Sequence, residues 1–125
     1  MSTKSIADKM YVKNAKSIAL VNADKRHAAL LAELPTQLIG NSGNAADLVL
    51  LFVHSLGELE TLLPDAKARL ADKGALWVAY VKGTSKQKSD VNRDIIASFA
   101  QTIGLDSVAI ISIDADWSAL RLKRL

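Results

Sequence analysis

Three stretches of this chain are almost wholly apolar: Ser17-Ile18-Ala19-Leu20-Val21, Leu48-Val49-Leu50-Leu51-Phe52-Val53 and Ala75-Leu76-Trp77-Val78-Ala79-Tyr80-Val81. A strand with one wet face alternates apolar and polar side chains, whereas a strand covered on both faces has no reason to alternate. Runs of this kind therefore point to a parallel sheet sandwiched between helices. The intervening segments carry the helical period. A helix is expected from Asp24, with Leu30, Leu31 and Leu34 inward and Pro35 as its stop. A short strand is expected over Thr36 to Ile39, followed by the polar loop GNSGNAAD. Leu56 to Ala71 reads as a helix with Leu59, Leu62, Leu63, Ala66 and Leu70 on one side, kinked or divided at Pro64. Asp72-Lys73-Gly74 reads as a turn. Ser89 is the expected cap of a further helix on which Val91, Ile95, Phe99 and Ile103 recur at four-residue intervals, ended by Gly104.

The final segment differs. Ser107 to Ile113 is another apolar strand, Asp114-Ala115-Asp116 turns the chain, and Trp117 to Leu125 alternates, with Leu120 and Leu122 opposite Arg121 and Lys123. After so tight a turn the last strand should run antiparallel to its predecessor, near a sheet edge. The expected fold is a single α/β domain over residues 1–125: a three-layer α/β/α sandwich around a mostly parallel, Rossmann-like sheet with a C-terminal antiparallel strand.

Composition narrows the function classes. Half of the 125 residues are apolar, enough for a real core and against disorder. No apolar stretch approaches the ~18 residues of a membrane span. Met1-Ser2-Thr3-Lys4-Ser5 lacks the apolar core of a signal peptide, so a cytoplasmic location is expected. The absence of cysteine removes disulfides, thiolate nucleophiles and Cys-based metal sites. The net charge is +3, with basic ends and an acidic middle: six Lys/Arg against two Asp over residues 1–27, but three against six acids over 28–81. Such a balance reads first as a solvated surface.

Residues 47–80, DLVLLFVHSLGELETLLPDAKARLADKGALWVAY, resemble the second half of class I methyltransferases. There an acidic residue opens a strand, here Asp47. A helix then leads to an L-x-P-G-G-x-L turn, here Leu70-Ala71-Asp72-Lys73-Gly74-Ala75-Leu76. The segment GLDSVAIISIDADWSALRLKRL is similar to the reversed hairpin that closes the same fold, with one strand–helix unit missing after the second strand. The pattern resembles still more closely a small bacterial family of uncharacterised proteins with a trimmed methyltransferase-like fold. It shares the G-ALW turn at Gly74 to Trp77, the following Lys82, and D-x-x-W-S-x-L at Asp114 to Leu120. That resemblance implies a fold and brings no activity with it.

The departures bear on function. Methyltransferases of this class carry an acidic, glycine-rich turn after strand one for S-adenosylmethionine, and an acidic residue after strand two for its ribose. Here the turns read Val21-Asn22-Ala23-Asp24 and Ile39-Gly40-Asn41. No cofactor is therefore expected; S-adenosylmethionine is compatible with the fold and unsupported by these residues. Asp24 has a simpler role as a helix cap.

In an open α/β sheet, ligands sit beyond the carboxyl ends of the strands where strand order reverses. That crevice should be lined by Asn22, Ala23, Asp24, His54 and Ser55, with Lys82, Thr84 and Ser85 leaving the neighbouring strand on the same side. His54 could act there as acid or base; its plainer role is a hydrogen bond to a loop backbone. Lys82 to Lys88 has the composition of an anion-binding loop without the phosphate-loop spacing. His27 and His54 have no ligand-spaced partners, so no metal site is expected. Asp114 and Asp116 more simply shape their turn. Trp77 should pack in a buried strand, and core packing is the first expectation for Trp117 too, with cover of a sheet edge or a subunit contact as its alternative.

Three functions follow in order: a non-catalytic methyltransferase-like binding or interaction domain; a divergent enzyme or nucleotide-like ligand binder using Asn22, Asp24, His54 and Lys82; and a weak nucleic-acid binder using residues 82–93 with Arg121, Lys123 and Arg124. Nucleic acid ranks last because no exposed aromatics interleave the charges. A homodimer through the C-terminal edge strand is the expected self-association.

Overall fold

The computed structural model describes residues 17–22, 46–81, 91–113 and 117–124. Among the described residues, five strands form one mixed sheet flanked by two helices. In chain order these are β1 (Ile18–Val21), β2 (Ala46–Phe52), α1 (Leu56–Ala68), β3 (Leu70–Val81), α2 (Arg93–Thr102), β4 (Leu105–Ser112) and β5 (Trp117–Arg124). The spatial order is β1-β2-β3-β5-β4. The first three strands are parallel, and β5 runs antiparallel to both β3 and β4. The expected helix from Asp24, the strand over Thr36 to Ile39, the basic loop 82–88, Ser89 and the turn 114–116 lie outside the described residues.

The unbroken apolar runs have the predicted cause. Alternate residues of β2 and β3 point into two separate clusters. Val49, Leu51, Leu76 and Val78 pack on one face with Leu59, Leu63 and Ala66 of α1 and Ile96 and Ala100 of α2. Leu48, Leu50, Phe52 and Trp77 pack on the other with Ile18, Trp117 and Ala119. Side chains on both faces are withdrawn from water, so neither face tolerates a polar residue.

Local sequence differs from the outcome at four places. First, α1 stays one helix through Pro64 and ends at Ala68. Proline removes the amide that would bond Glu60, but Pro64 is exposed, so water can satisfy the freed carbonyl. The helix stops early because the Arg69 carbonyl accepts the Ala46 amide at 2.7 Å, which starts β3. Second, Asp72-Lys73-Gly74 lies inside β3. Ala46 pairs with Leu70 and Leu48 with Ala75, so five steps along β3 match two along β2, and the expected turn is taken up as a bulge. Third, Asn92 caps α2, its Oδ1 accepting the Ile95 amide at 2.9 Å. The most deeply buried residues of α2 are Ile96 and Ala100, while Ile95, Phe99 and Ile103 flank them.

Fourth, the C-terminal strand is not at the edge. β5 lies between β3 and β4, and the edge position falls to β4. Trp117 is accordingly 3% exposed and faces the second cluster. The expected antiparallel pairing with its predecessor is present, with Ile110 opposite Leu120 and Ser112 opposite Ser118. Gly104 has φ +83°, as an αL helix terminator should. The Lys67 ammonium donates to the Ile103 carbonyl beside it, tying the end of α1 to the end of α2. Among the described residues no helix is long and apolar enough to cross a membrane.

Candidate functional site

Of the expected crevice lining, Asn22, His54 and Ser55 are among the described residues, and they lie where β1 and β2 end and α1 begins. β1 ends at Val21, and Asn22 turns the chain with φ +63°. That left-handed conformation is easiest for glycine; asparagine is among the few other residues that adopt it readily. The backbone thus keeps a glycine-type turn while carrying a side chain. The Asn22 amide donates to the Phe52 carbonyl at 2.8 Å and to Glu58 Oε2 at 3.1 Å. It points back across the ends of the strands and bridges β1, β2 and α1.

Ser55 and Glu58 form the other half. Ser55 is the N-cap of α1, with extended backbone and its Oγ accepting the Glu58 amide at 3.2 Å. The sequence Ser55-Leu56-Gly57-Glu58 is the S-x-x-E of a capping box, in which the glutamate reaches back to an amide before the helix. Here it reaches one residue further than the standard box. Glu58 Oε1 accepts the His54 backbone amide at 2.6 Å and lies 2.9 Å from His54 Nδ1. An ionised carboxylate can only accept, so Nδ1 carries the proton in this contact. The negative charge also sits favourably in the first turn of the helix.

Glu58 is the hub of the site, and residue-by-residue reading for acids and bases missed it. The capping-box spacing was the signal that could have found it. Burial opposes its ionisation, but the His54 amide, the Asn22 amide, the His54 ring and the His54 charge together hold its carboxyl below the ordinary value of 4.5. A carboxylate with a lowered folded pKa contributes stability that is fully present above the unfolded value and is lost as pH falls through the folded one. We expect denaturant midpoints of the wild-type chain to fall more steeply than those of Glu58→Gln below about pH 4.5. Parallel curves in that range would contradict the role given to Glu58.

The His54 ring is held on its other side. It meets Trp117 edge-on, with centroids 5.1 Å apart at 84°, and Trp117 in turn meets Phe52 at 6.5 Å and 72°. His54 Nε2 is shielded from solvent. The structure therefore brings Asn22, His54 and Ser55 together, as expected, around a glutamate that was not expected. Ala23, Asp24, Lys82, Thr84 and Ser85 lie outside the described residues. No group of three or more potential metal ligands occurs among the described residues. Of the basic residues considered for nucleic acid, Lys123 is exposed, while Arg121 is half-buried in β5.

An open groove of about 420 Å³ lies elsewhere, between α1 and α2. Leu56, Ile95 and Phe99 supply its apolar lining and Glu60 and Asp94 its acidic groups; Asn22, His54, Ser55 and Glu58 do not line it.

Comparison with solved structures places this architecture. A protein assigned as a type 11 methyltransferase from Sulfolobus solfataricus matches with a TM-score of 0.65 and 10% identity, over 95% of this chain and 89% of that one. DhpI in complex with SAH matches with a TM-score of 0.59 and 8% identity, over 95% and 71%. The glycopeptide N-methyltransferase MtfA, complexed with sinefungin, matches at 0.56 and 11%, over 97% and 93%. At such identities the likeness is one of fold, which is methyltransferase-like. No curated protein sequence matches the chain. The model of one protein family, described as a protein of unknown function, matches residues 20–125. With that match spanning most of its length, the chain belongs to the DUF3052 family.

Proposed function

We propose that this chain is a methyltransferase-like domain that keeps the fold without the cofactor, and that it serves as a non-catalytic binding or interaction module. The observation that carries this reading is the Asn22 amide, held by Phe52 and Glu58 across the mouth of the crevice. The fold itself accommodates adenosyl compounds, as DhpI with SAH and MtfA with sinefungin illustrate. The residues of this chain do not fit one. Its first turn, Val21 to Asp24, has no glycine, and Ile39-Gly40-Asn41 offers no acid to a ribose. Glu58, the acid beside Asn22 among the described residues, has its oxygens engaged by His54 and Asn22. In this reading the sheet is the middle of a three-layer α/β/α sandwich one strand–helix unit shorter than the class I enzymes. The burial of Ile18, Leu48, Leu50, Phe52 and Trp77 on the second face supports a covering layer there.

A thermal-shift series with S-adenosylmethionine, SAH and sinefungin tests the proposal. Ligand at ~100 times its dissociation constant adds about 2.7 kcal/mol to a protein that binds it. The expected result is an unchanged melting temperature with all three. A rise with any of them, or methyl transfer by the purified chain, would overturn it. The Glu58–His54 pair at 2.9 Å favours a second reading, a divergent enzyme or nucleotide-like ligand binder that also uses Asp24 and Lys82. Common nucleotides in the same series separate the two, since a rise with a nucleotide alone would favour this second reading.

A further inference from the structure

We infer that the β4 edge pairs with β4 of a second copy of this chain, joining two sheets across a two-fold axis. Among the described strands β4 is bonded on one side only, to β5. An edge strand presents alternate amides and carbonyls ready to pair with another strand, and proteins that remain single usually blunt such edges with lysine, proline or short length. β4 is eight residues long, and its only charge, Asp106, stands near its start. From Ser107 to Ile113 the sequence is SVAIISI, with no charge and no proline.

Exposure points to the same edge. Val108 and Ile110, 44% and 45% exposed, are the exposed large hydrophobic residues among those described, and both lie on β4. A bulge between Ser107 and Ala109 interrupts the ladder to β5, but Ala109 to Ser112 pair with it in regular register. That regular stretch suits a two-fold centred on Ile110. Ile110 would meet its own copy, and Ala109 would meet Ile111. Ile110 lies opposite Leu120 on the helix side, while Ile111 packs with the second cluster. Opposed residues would therefore share a face, as antiparallel pairing requires. Self-pairing penalises any strand with a central charge by setting like against like, and here residues 107–113 carry none. α2 packs against β4, so the joined edges would bring two α2 helices side by side and add area beyond the strands themselves. Such addition matters, because stable pairs bury about 1,200–2,000 Å².

The test is the mass of the full chain by light scattering or sedimentation, from low to high micromolar concentration. The expected wild-type mass is twice that of the chain. Ile110→Lys should return it to a monomer with an unchanged circular-dichroism spectrum, because the side chain is exposed. Ile110→Thr, which keeps strand propensity, should shift the equilibrium partway. A monomeric wild-type chain, a dimer untouched by Ile110→Lys, open-ended growth beyond twice the mass, or a foreign strand found on this edge would each overturn the inference.

Discussion

Replacing Trp77 with alanine is expected to destabilise the fold by about 3–5 kcal/mol, the range for emptying a large buried aromatic site. Trp77 is 1% exposed, sits on β3 at the middle of the described sheet, and packs between Leu50 and its neighbours in the second cluster. β2 and β5 pair with it on either side, opposite Leu50 and Arg121, so little can collapse into the space. In a domain of this size such a loss should lower the melting temperature by more than roughly ten degrees. Trp77→Phe should cost much less. The indole Nε1 is buried without a hydrogen-bond partner among the described residues. An unsatisfied buried donor costs about 1–3 kcal/mol, and phenylalanine removes it while refilling most of the volume. Equal losses for alanine and phenylalanine in urea denaturation would mean that the indole N–H is satisfied.

Trp117→Ala is expected to cost about 3–5 kcal/mol for the same reason and, unlike Trp77→Ala, to disturb the crevice directly. Trp117 supports the His54 ring at 5.1 Å and Phe52 at 6.5 Å, both edge-on. Aromatic pairs of this geometry add about 0.5–1.5 kcal/mol beyond burial. The His54 ring resonances in an NMR spectrum should shift in Trp117→Ala and hold still in Trp77→Ala. A loss below about 1 kcal/mol would contradict the burial of Trp117.

The strands that carry the fold were legible because their cause is local. A strand buried on both faces must be apolar at every position, and Ile18 to Val21, Leu48 to Val53 and Ala75 to Val81 declare this directly. Gly104 was legible because a left-handed residue after a helix favours one amino acid. The place of β5 was not. Its alternation of Leu120 and Leu122 with Arg121 and Lys123 reads as one wet face, yet Trp117 and Ala119 on that face are buried. Strand order is decided by which edges meet, and no local pattern records it. The bulge in β3 was hidden likewise. Asp72-Lys73-Gly74 carries turn chemistry, but the pairing of Ala46 with Leu70 keeps those residues within the strand.

The site divides along the same line. The missing glycine at the first turn was readable, and it led to the residue that matters, Asn22. Glu58 was not read, although the Ser55-x-x-Glu58 spacing of a capping box was present in the sequence. What spacing could not show is that Glu58 also accepts from Asn22, 36 residues earlier in the chain. That contact exists only because β1 and β2 pair in parallel and bring the end of one beside the helix that leaves the other.

The proposed function requires a site that is held by its own side chains and takes no adenosyl ligand. Isothermal titration of SAH into the full chain tests it most directly. The proposal predicts no saturable heat up to millimolar ligand. A saturable isotherm, weakened by Glu58→Ala, would contradict it and make the crevice a working binding site.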